Sequence, residues 1–388
     1  CLLLYDQKVL KKKTSTYQKL QAGMISPYSF LKSKIRSLEI SAGDLGLTPC
    51  SCAVIVTDVK TGKVKALTSY PSYDNNKFAN SVDADYYAKI STSSASPLLN
   101  RATQQKAAPG STFKMVTATT ALEEGIINPY TRIHDGVQFN KINKPWPKCW
   151  STYSHGNINV SQAIQHSCNY FFYEMGYRLG NGHNTLVDNE KGLSKLKKYA
   201  EKYGLTEKSG IELPEAEPTF SDVDVVRSAI GQGSHSYTPV QMSRYVTTIA
   251  NGGTCFDLTL IQKIKDAKSK TQDKKLSNVR NKLNFQSSTL TAIKTGMKNV
   301  VQAGSIKSLF NNVNVTVAGK TGTAQQILTR PNHALFVGYA PYEDPQVSIA
   351  TRIAYGYTSS NAADLSAKVL SYYFHVADEQ TLLNGQAM

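Results

Sequence analysis

Apolar residues recur at helical spacing directly after a short turn-forming run. The run is AAPG at 107–110, and the apolar positions that follow it are Phe113, Met115, Val116, Ala118 and Leu122. Proline and glycine favour a turn, and apolar residues three and four apart are typical of a half-buried helix. The pattern predicts a helix over 111–125, with Ser111 in its first turn.

Shorter apolar runs predict a sheet. Val313, Val315 and Val317 alternate with polar residues, which indicates a strand that runs into Gly319. The predicted strands are a hairpin over 53–70 and a meander over 313–325, 334–340 and 346–355. Further helices are predicted over 161–165, 190–203, 239–252 and 361–374. The hydrophilic stretch 265–282 is predicted to be a loop or a disordered link.

The predicted helix carries a candidate nucleophile in the sequence STFK. Lys114 follows Ser111 by three residues, so the two side chains share one face of the helix. A lysine can take a proton from a serine hydroxyl only when it is neutral, and burial or a nearby cation lowers its pKa. Lys320 is the candidate for that cation. An isolated SxxK pattern is more often a serine cap followed by a surface lysine.

Two further polar motifs follow in a fixed order. In SCN, Ser167 and Asn169 are two residues apart and are predicted to point the same way, with Cys168 pointing elsewhere. In KTGT, Lys320, Thr321 and Thr323 offer one positive charge and two hydroxyl donors, which suit a carboxylate. Gly322 is expected to leave room for a substrate backbone beside the strand. Alone, SCN could be a simple turn, and KTGT an edge strand protected by a lysine.

Together the three motifs resemble the transpeptidase domain of class B penicillin-binding proteins. The resemblance runs from about residue 53 to about 374 and includes LNRA at 99–102, IGQG at 230–233, ANGG at 250–253 and FVGYAP at 336–341. It implies the α+β fold shared by serine beta-lactamases and transpeptidases. In that fold a mainly antiparallel five-stranded sheet is flanked by helices and joined by a helical subdomain. The implied domains are 49–376 for the transpeptidase, 1–48 for a linker or pedestal remnant, and 377–388 for a tail.

The same resemblance implies a serine D,D-transpeptidase that cross-links peptidoglycan stem peptides ending in D-Ala-D-Ala. Ser111 would be acylated by the stem peptide, which is the acyl donor, or by beta-lactam antibiotics. Lys114 would be the base and Ser167 the proton relay. Asn169 would hold the stem, while Lys320, Thr321 and Thr323 would hold its carboxylate. Backbone N–H groups of Ser111 and Thr323 would form the oxyanion hole. The alternatives are a serine beta-lactamase and a non-catalytic beta-lactam sensor or scaffold.

Composition narrows the setting of this activity. The net charge is +16, but the basic stretches lack interleaved aromatic residues, so no nucleic-acid partner is predicted. They are interpreted as solvated faces or, alternatively, as attractive to anionic wall polymers. No apolar run approaches the roughly 18 residues of a membrane span. The resemblance implies an extracytoplasmic domain anchored by a segment outside this chain, with a glycosyltransferase as partner.

Six cysteines leave one further question open. Cys149, His155 and Cys168 are close in sequence and could bind a structural zinc ion, although no cofactor is expected for the chemistry itself. Asp135 is the predicted fourth ligand, with His166 and His134 as rivals. The other interpretations are a Cys149–Cys168 disulfide and buried free thiols.

Overall fold

The structure is a computed structural model that describes residues 1–11, 14–37, 39–40, 51–265, 271–272, 278–326 and 329–383. The helices are α1 (Leu2–Asp6), α2 (Thr14–Gln21), α3 (Pro27–Arg36), α4 (Ala84–Ser91), α5 (Lys114–Glu123), α6 (Val160–Gln165), α7 (Asn169–Leu179), α8 (Asn189–Lys202), α9 (Val225–Ser228), α10 (Pro239–Ala250), α11 (Ser287–Gln302), α12 (Ser359–Tyr373) and α13 (Glu379–Leu383). Among the described residues, no helix combines the length and apolar character needed to cross a membrane.

The strands are β1 (Cys52–Asp58), β2 (Val64–Tyr70), β3 (Ile133–His134), β4 (Asn157–Ile158), β5 (Thr254–Phe256), β6 (Ile264–Lys265), β7 (Thr271–Gln272), β8 (Val279–Lys282), β9 (Ala318–Ala324), β10 (His333–Ala340) and β11 (Val347–Ile353). Five of them form one antiparallel sheet in the order β2-β1-β11-β10-β9. Strand β9 therefore lies at an edge of this sheet. The predicted α+β fold with a five-stranded sheet is confirmed.

The two faces of this sheet are covered by different helices. On one face, Thr57 Oγ1 lies 2.8 Å from Ser243 Oγ of α10, and every residue of α10 is buried. On the other face, Ser366 Oγ of α12 donates to Thr351 Oγ1 at 2.8 Å. All eight residues of β10 are buried, as expected for a strand covered on both sides. Helices α5, α7, α8 and α9 pack against one another in the same compact unit.

The described residues divide into two compact units. The smaller takes its residues from 1–51, 71–98 and 380–388, and the larger from 52–70 and 99–379. Leu4, Tyr5, Leu10, Phe30 and Ile40 form the apolar cluster of the smaller unit. Residues 71–98 group with this unit, although the predicted transpeptidase domain includes them. The predicted boundaries at 48 and 376 stay a prediction.

Two of the predicted elements need correction. The strand predicted from residue 313 begins only at Ala318, because its partner β10 ends at Ala340 and is followed by Pro341, which has no N–H to donate. Val313 and Val317 are nevertheless buried, so their alternation reflects packing in a loop. The stretch predicted as a loop over 265–282 includes β7 and β8, and β8 pairs with β5. Residues 266–270 and 273–277 of that stretch, and 384–388 of the predicted tail, lie outside the described residues.

Candidate active site

Two glycines shape the turn that carries Ser111. Residues Gly110–Phe113 form a 3-10 turn that leads directly into α5. The φ angle of Gly110 is +51°, and its N–H donates to the Gly231 carbonyl at 3.0 Å. A Cβ on Gly231 would lie 2.0 Å from the Gly110 oxygen, so no other residue fits there unless the backbone moves. Ser111 itself is half-buried at the start of the helix.

Lys114 is fully buried and faces the second motif. Its Nζ donates to the Ser167 carbonyl at 2.7 Å, to Asn169 Oδ1 at 2.7 Å and to Ser167 Oγ at 3.2 Å. The Phe172 ring lies 5.4 Å from the same nitrogen. Burial lowers the pKa of Lys114 to about 8, because the charged ammonium loses its hydration. The neutral amine required of a base is therefore accessible near neutral pH.

The SCN segment is bent so that its side chains diverge. Ser167 has a φ angle of +52°, and Cys168 is the N-cap of α7. Ser167 and Asn169 both contact Lys114, whereas Cys168 points into the interior of the protein. The segment is thus a left-handed bend and not the predicted extended turn. As predicted, Ser167 and Asn169 nevertheless point the same way and Cys168 points elsewhere.

The third motif lies on the edge strand β9. Lys320 is fully buried, and its Nζ donates to the Thr321 carbonyl at 3.0 Å. Burial, reinforced by the charge of Lys114, lowers the pKa of Lys320 well below its usual value. Burial is thus the largest cause of the lowered pKa of both lysines, and repulsion between them favours the neutral form of one of the pair. Lys114, Ser167, Asn169 and Lys320 are called the lysine cluster below.

Gly322 allows the edge strand to lie close to the turn of Ser111. A Cβ at this position would lie 2.8 Å from Thr112 Cγ2 and 3.0 Å from the Pro109 oxygen. The predicted role of Gly322 in leaving room for a substrate backbone stays a prediction. On the same strand, Thr323 is exposed, and its backbone oxygen lies 2.5 Å from where a Cβ of Gly110 would be. The first and third motifs are thus in direct contact.

A groove of about 440 Å³ opens beside Thr323. Its polar lining consists of Tyr173, Arg227, Gln232, Thr323, Gln325 and Asn332. Such a surface offers hydrogen-bonding groups to an extended peptide on both sides. The groove continues the line of β9 beyond the KTGT motif.

Behind the SCN segment lies a second polar cluster, formed by Asp135, Cys149, His155 and Cys168 and called the thiol cluster below. One ligand atom from each residue lies within 4.8 Å of the others. His155 Nδ1 is 2.6 Å from Asp135 Oδ2 and 3.9 Å from Cys149 Sγ. These are the four residues of the predicted metal site. His134 is exposed on β3 outside the cluster, and His166 only stacks on His155, with ring centroids 5.3 Å apart.

The donor atoms of the thiol cluster fit zinc. Two sulfurs, one imidazole nitrogen and one carboxylate oxygen are ordinary zinc ligands, and tetrahedral bonds of about 2.0–2.3 Å require ligand atoms roughly 3.5 Å apart. Burial acts to raise the pKa of Asp135, but hydrogen bonds from the backbone of His155 and Val137 outweigh it and lower the pKa. A hydrogen bond from Cys168 lowers the pKa of Cys149 to about 5. No disulfide is present among the described cysteines.

Comparisons with known proteins identify the family. The family model described as the penicillin binding protein transpeptidase domain matches residues 52–371. The chain belongs to the penicillin-binding protein transpeptidase family. Haemophilus influenzae peptidoglycan D,D-transpeptidase MrdA is 30% identical over 357 residues, covering 83% of this chain and 53% of the relative. Mycolicibacterium smegmatis PbpA is 30% identical over 334 residues, covering 79% and 62%.

Solved structures of this family share the fold. The Helicobacter pylori penicillin-binding protein PBP2 superposes with a TM-score of 0.72 at 27% identity, covering 84% of this chain and 60% of that one. The imipenem acyl-enzyme complex of Mycobacterium tuberculosis penicillin-binding protein A gives a TM-score of 0.73 at 25% identity, covering 84% and 74%. The chain spans about half the length of the curated MrdA relatives that it matches.

Sequence reasoning about this family member missed parts of the site. Tyr173 and Arg227 line the groove, and neither belongs to a motif. The family resemblance includes Gly231, but it does not indicate that Gly231 packs against Gly110 in the turn that carries Ser111. The two glycines of IGQG are a sequence signal for a tight approach of the backbone, and in the structure both have positive φ angles. Nothing in the sequence around Arg227 indicates a groove.

Proposed function

We propose that this chain is a serine D,D-transpeptidase that joins peptidoglycan stem peptides through an acyl-enzyme at Ser111. The observation that carries the proposal is the buried Lys114 amine, with its lowered pKa, placed one helical turn after a half-buried serine. The neighbouring SCN and KTGT motifs supply the remaining groups. Membership of the transpeptidase family and the peptidoglycan D,D-transpeptidases among its relatives support the same activity.

In this mechanism Ser111 Oγ attacks the carbonyl carbon of the bond between the two terminal D-alanines. The neutral Lys114 amine takes the hydroxyl proton, and Ser167 passes a proton to the departing D-alanine nitrogen. Backbone N–H groups of Ser111 and Thr323 stabilise the tetrahedral oxyanion. An amine from a second stem then attacks the ester, and its proton returns through Ser167 and Lys114 while Ser111 is released.

Recognition of the donor falls to the edge strand. Lys320, Thr321 and Thr323 bind the terminal carboxylate, whose charge favours the protonated form of Lys320. The donor backbone lies along β9 as an added strand, and Asn169 donates to it on the other side. Gly322 contributes indirectly, because its lack of a side chain holds β9 close to Ser111.

Fluorescent penicillin provides the test. The intact protein is expected to gain the mass of one penicillin, with the adduct mapped to the peptide that contains Ser111, while Ser111→Ala shows no adduct. A persistent adduct and cross-linking of synthetic stems support the transpeptidase. Rapid turnover of penicillin would instead indicate a beta-lactamase, and labelling without any acyl transfer to an amine would indicate a sensor. Labelling of Ser111→Ala at the wild-type level would remove Ser111 from its role.

We also propose that the thiol cluster holds one structural zinc ion. The ion would fix the SCN segment against the segment that contains Cys149, and Asp135, Cys149, His155 and Cys168 would be its ligands. The support is the convergence of four suitable donors within 4.8 Å. Elemental analysis of protein purified without added metal is expected to give about one zinc per chain. The absence of stoichiometric zinc, with Cys149, Cys168 and His155 reactive to thiol and imidazole reagents, would refute it.

The cellular setting follows from the substrate. We propose that the domain works at the outer face of the bacterial cell membrane, where peptidoglycan is built, together with a glycosyltransferase. Two structural neighbours support a role in an assembly, namely the complex of Helicobacter pylori PBP2 with MreC and a peptidoglycan synthase complex. Co-purification of the full-length protein with a glycosyltransferase from detergent-solubilised membranes tests the partnership. Recovery without any such partner would count against it.

A further inference from the structure

One charged side chain lies in the groove that extends β9 beyond the KTGT motif. Among the described residues that line this groove, only Arg227 is charged, and the others are polar or apolar. Thr323 belongs to the same lining, so Arg227 and the third motif face one continuous space. An arginine in an otherwise uncharged lining can bind an anion through the N–H donors that its other contacts leave free.

Arg227 is held in place by two neighbours. It belongs to α9, and its guanidinium pairs with Asp224 at the start of that helix. It also donates to the Pro145 carbonyl at 2.7 Å. The side chain is 35% exposed, and a guanidinium has five N–H donors, of which these contacts use two. The group is therefore oriented in advance and retains donors for a bound molecule.

The direction of the donor peptide brings it to this arginine. According to the proposed function, on which this inference rests, Lys320, Thr321 and Thr323 bind the terminal carboxylate. The preceding residues of the donor then pass Thr323 and enter the groove, at about 3.4 Å per extended residue. We infer that Arg227 selects donors that carry a free carboxylate on the residue immediately before the two terminal D-alanines. Arg227 is thus a specificity-determining residue for the acyl donor.

The contact with Pro145 offers a competing explanation. Arg227 could act only as a clamp between α9 and the segment around Pro145. A clamp would affect every donor to the same degree, because it would change the shape of the groove and not its charge. Selection by charge would affect only donors that carry the carboxylate, and it would weaken as salt screens the pair. The ratio between two matched donors separates these cases.

The experiment compares two synthetic donors of equal length that end in D-Ala-D-Ala. One has a free side-chain carboxylate on the preceding residue, and the other has a primary amide there. For the wild-type chain, kcat/KM for acyl transfer is expected to favour the carboxylate donor by about tenfold, consistent with one charge-assisted contact. In Arg227→Gln the ratio is expected to fall to about one. The matched control is Arg178→Gln, since Arg178 is 39% exposed and also forms an ion pair, but it does not line the groove.

Binding of the same two peptides to Ser111→Ala, measured by calorimetry, gives the comparison without turnover. A tenfold difference in Kd that disappears in the double variant Ser111→Ala, Arg227→Gln supports the inference even if no transfer occurs, in which case only the proposed function fails. Equal affinities in Ser111→Ala would overturn the inference. A ratio that persists in Arg227→Gln, with both donors weakened by one factor, would assign Arg227 to the clamp role.

Discussion

The lysine cluster and the thiol cluster lie on opposite sides of the SCN segment, Ser167 to Asn169. The first buries basic groups, and the second buries mainly acidic ones. Lys114 and Lys320 are two amines whose contacts are neutral oxygens of Ser167, Asn169 and Thr321. The thiol cluster instead combines a carboxylate, two thiols and one imidazole. The lysine cluster contains no acidic side chain, whereas the thiol cluster contains one carboxylate and two acidic thiols.

This difference explains why one cluster suits catalysis and the other suits metal binding. Burial favours the neutral form of Lys114, which makes it a base, and the nearby charges of Cys168 and Cys149 offset part of this effect. Acidic ligands that converge on one point are stabilised by a bound cation. Because Cys168 stands between Ser167 and Asn169, the thiol cluster sets the position of two groups that contact Lys114.

Replacing the base should have the largest effect. Lys114→Met is expected to lower the rate of penicillin acylation by about a thousandfold, because the proposed base for the Ser111 proton is removed. Lys294→Met is the matched control, since Lys294 is a half-buried lysine whose pKa burial also lowers. Stopped-flow fluorescence with a labelled penicillin gives both rates. Equal losses in the two variants would point to general damage and would separate the lysine cluster from catalysis.

Changing the pH should test the same cluster without a mutation. The neutral form of Lys114 is the reactive one, and its pKa lies at about 8. The acylation rate is therefore expected to rise as pH increases, by about tenfold between pH 7 and pH 9, and then to level off. A rate that stays constant over this range, measured at fixed ionic strength, would show that deprotonation of Lys114 is not required.

Removing one thiol should have a smaller effect on acylation and a distinct effect on metal content. Cys168→Ser keeps an N-cap acceptor for α7 but removes a soft ligand. Zinc is expected to fall well below one per chain, Tm by about 5 °C, and acylation by about threefold as the SCN segment loosens. Cys255→Ser, at another fully buried cysteine, should retain its zinc. Equal zinc contents in the two variants would exclude Cys168 as a ligand.

The comparison of the two clusters also shows what a sequence can convey. STFK and KTGT were recognisable because each packs its chemistry into four residues, and the helix stripe and flanking glycine turn set their local structure. The four residues of the thiol cluster extend over 34 positions and form no local motif. They are recognisable because cysteine and histidine are the residue types that bind zinc. The sequence offers Asp135, His134 and His166 as fourth ligands, and spacing alone does not separate them.

Other features depended on contacts that no local pattern contains. Val313 and Val317 alternate as in a strand, but pairing requires a neighbour, and β10 ends too early to provide one. The close approach of Gly322 to Thr112, more than 200 residues earlier, is likewise visible only in the folded chain. Arg227 entered the site because α9 lies beside β9 across a groove, which is a property of the folded chain alone.

The torsion angle of Ser167 has a consequence for how this protein could be switched off. A φ angle of +52° is strained for a serine, at a conformational cost of order 1 kcal/mol, and the backbone relaxes unless neighbouring residues restrain it. Relaxation would rotate the carbonyl and hydroxyl of Ser167 away from Lys114 Nζ, from which both accept hydrogen bonds. If the thiol cluster holds the proposed zinc ion, an agent that removes the metal or oxidises Cys149 and Cys168 is therefore expected to release this restraint on Ser167 without binding beside Ser111.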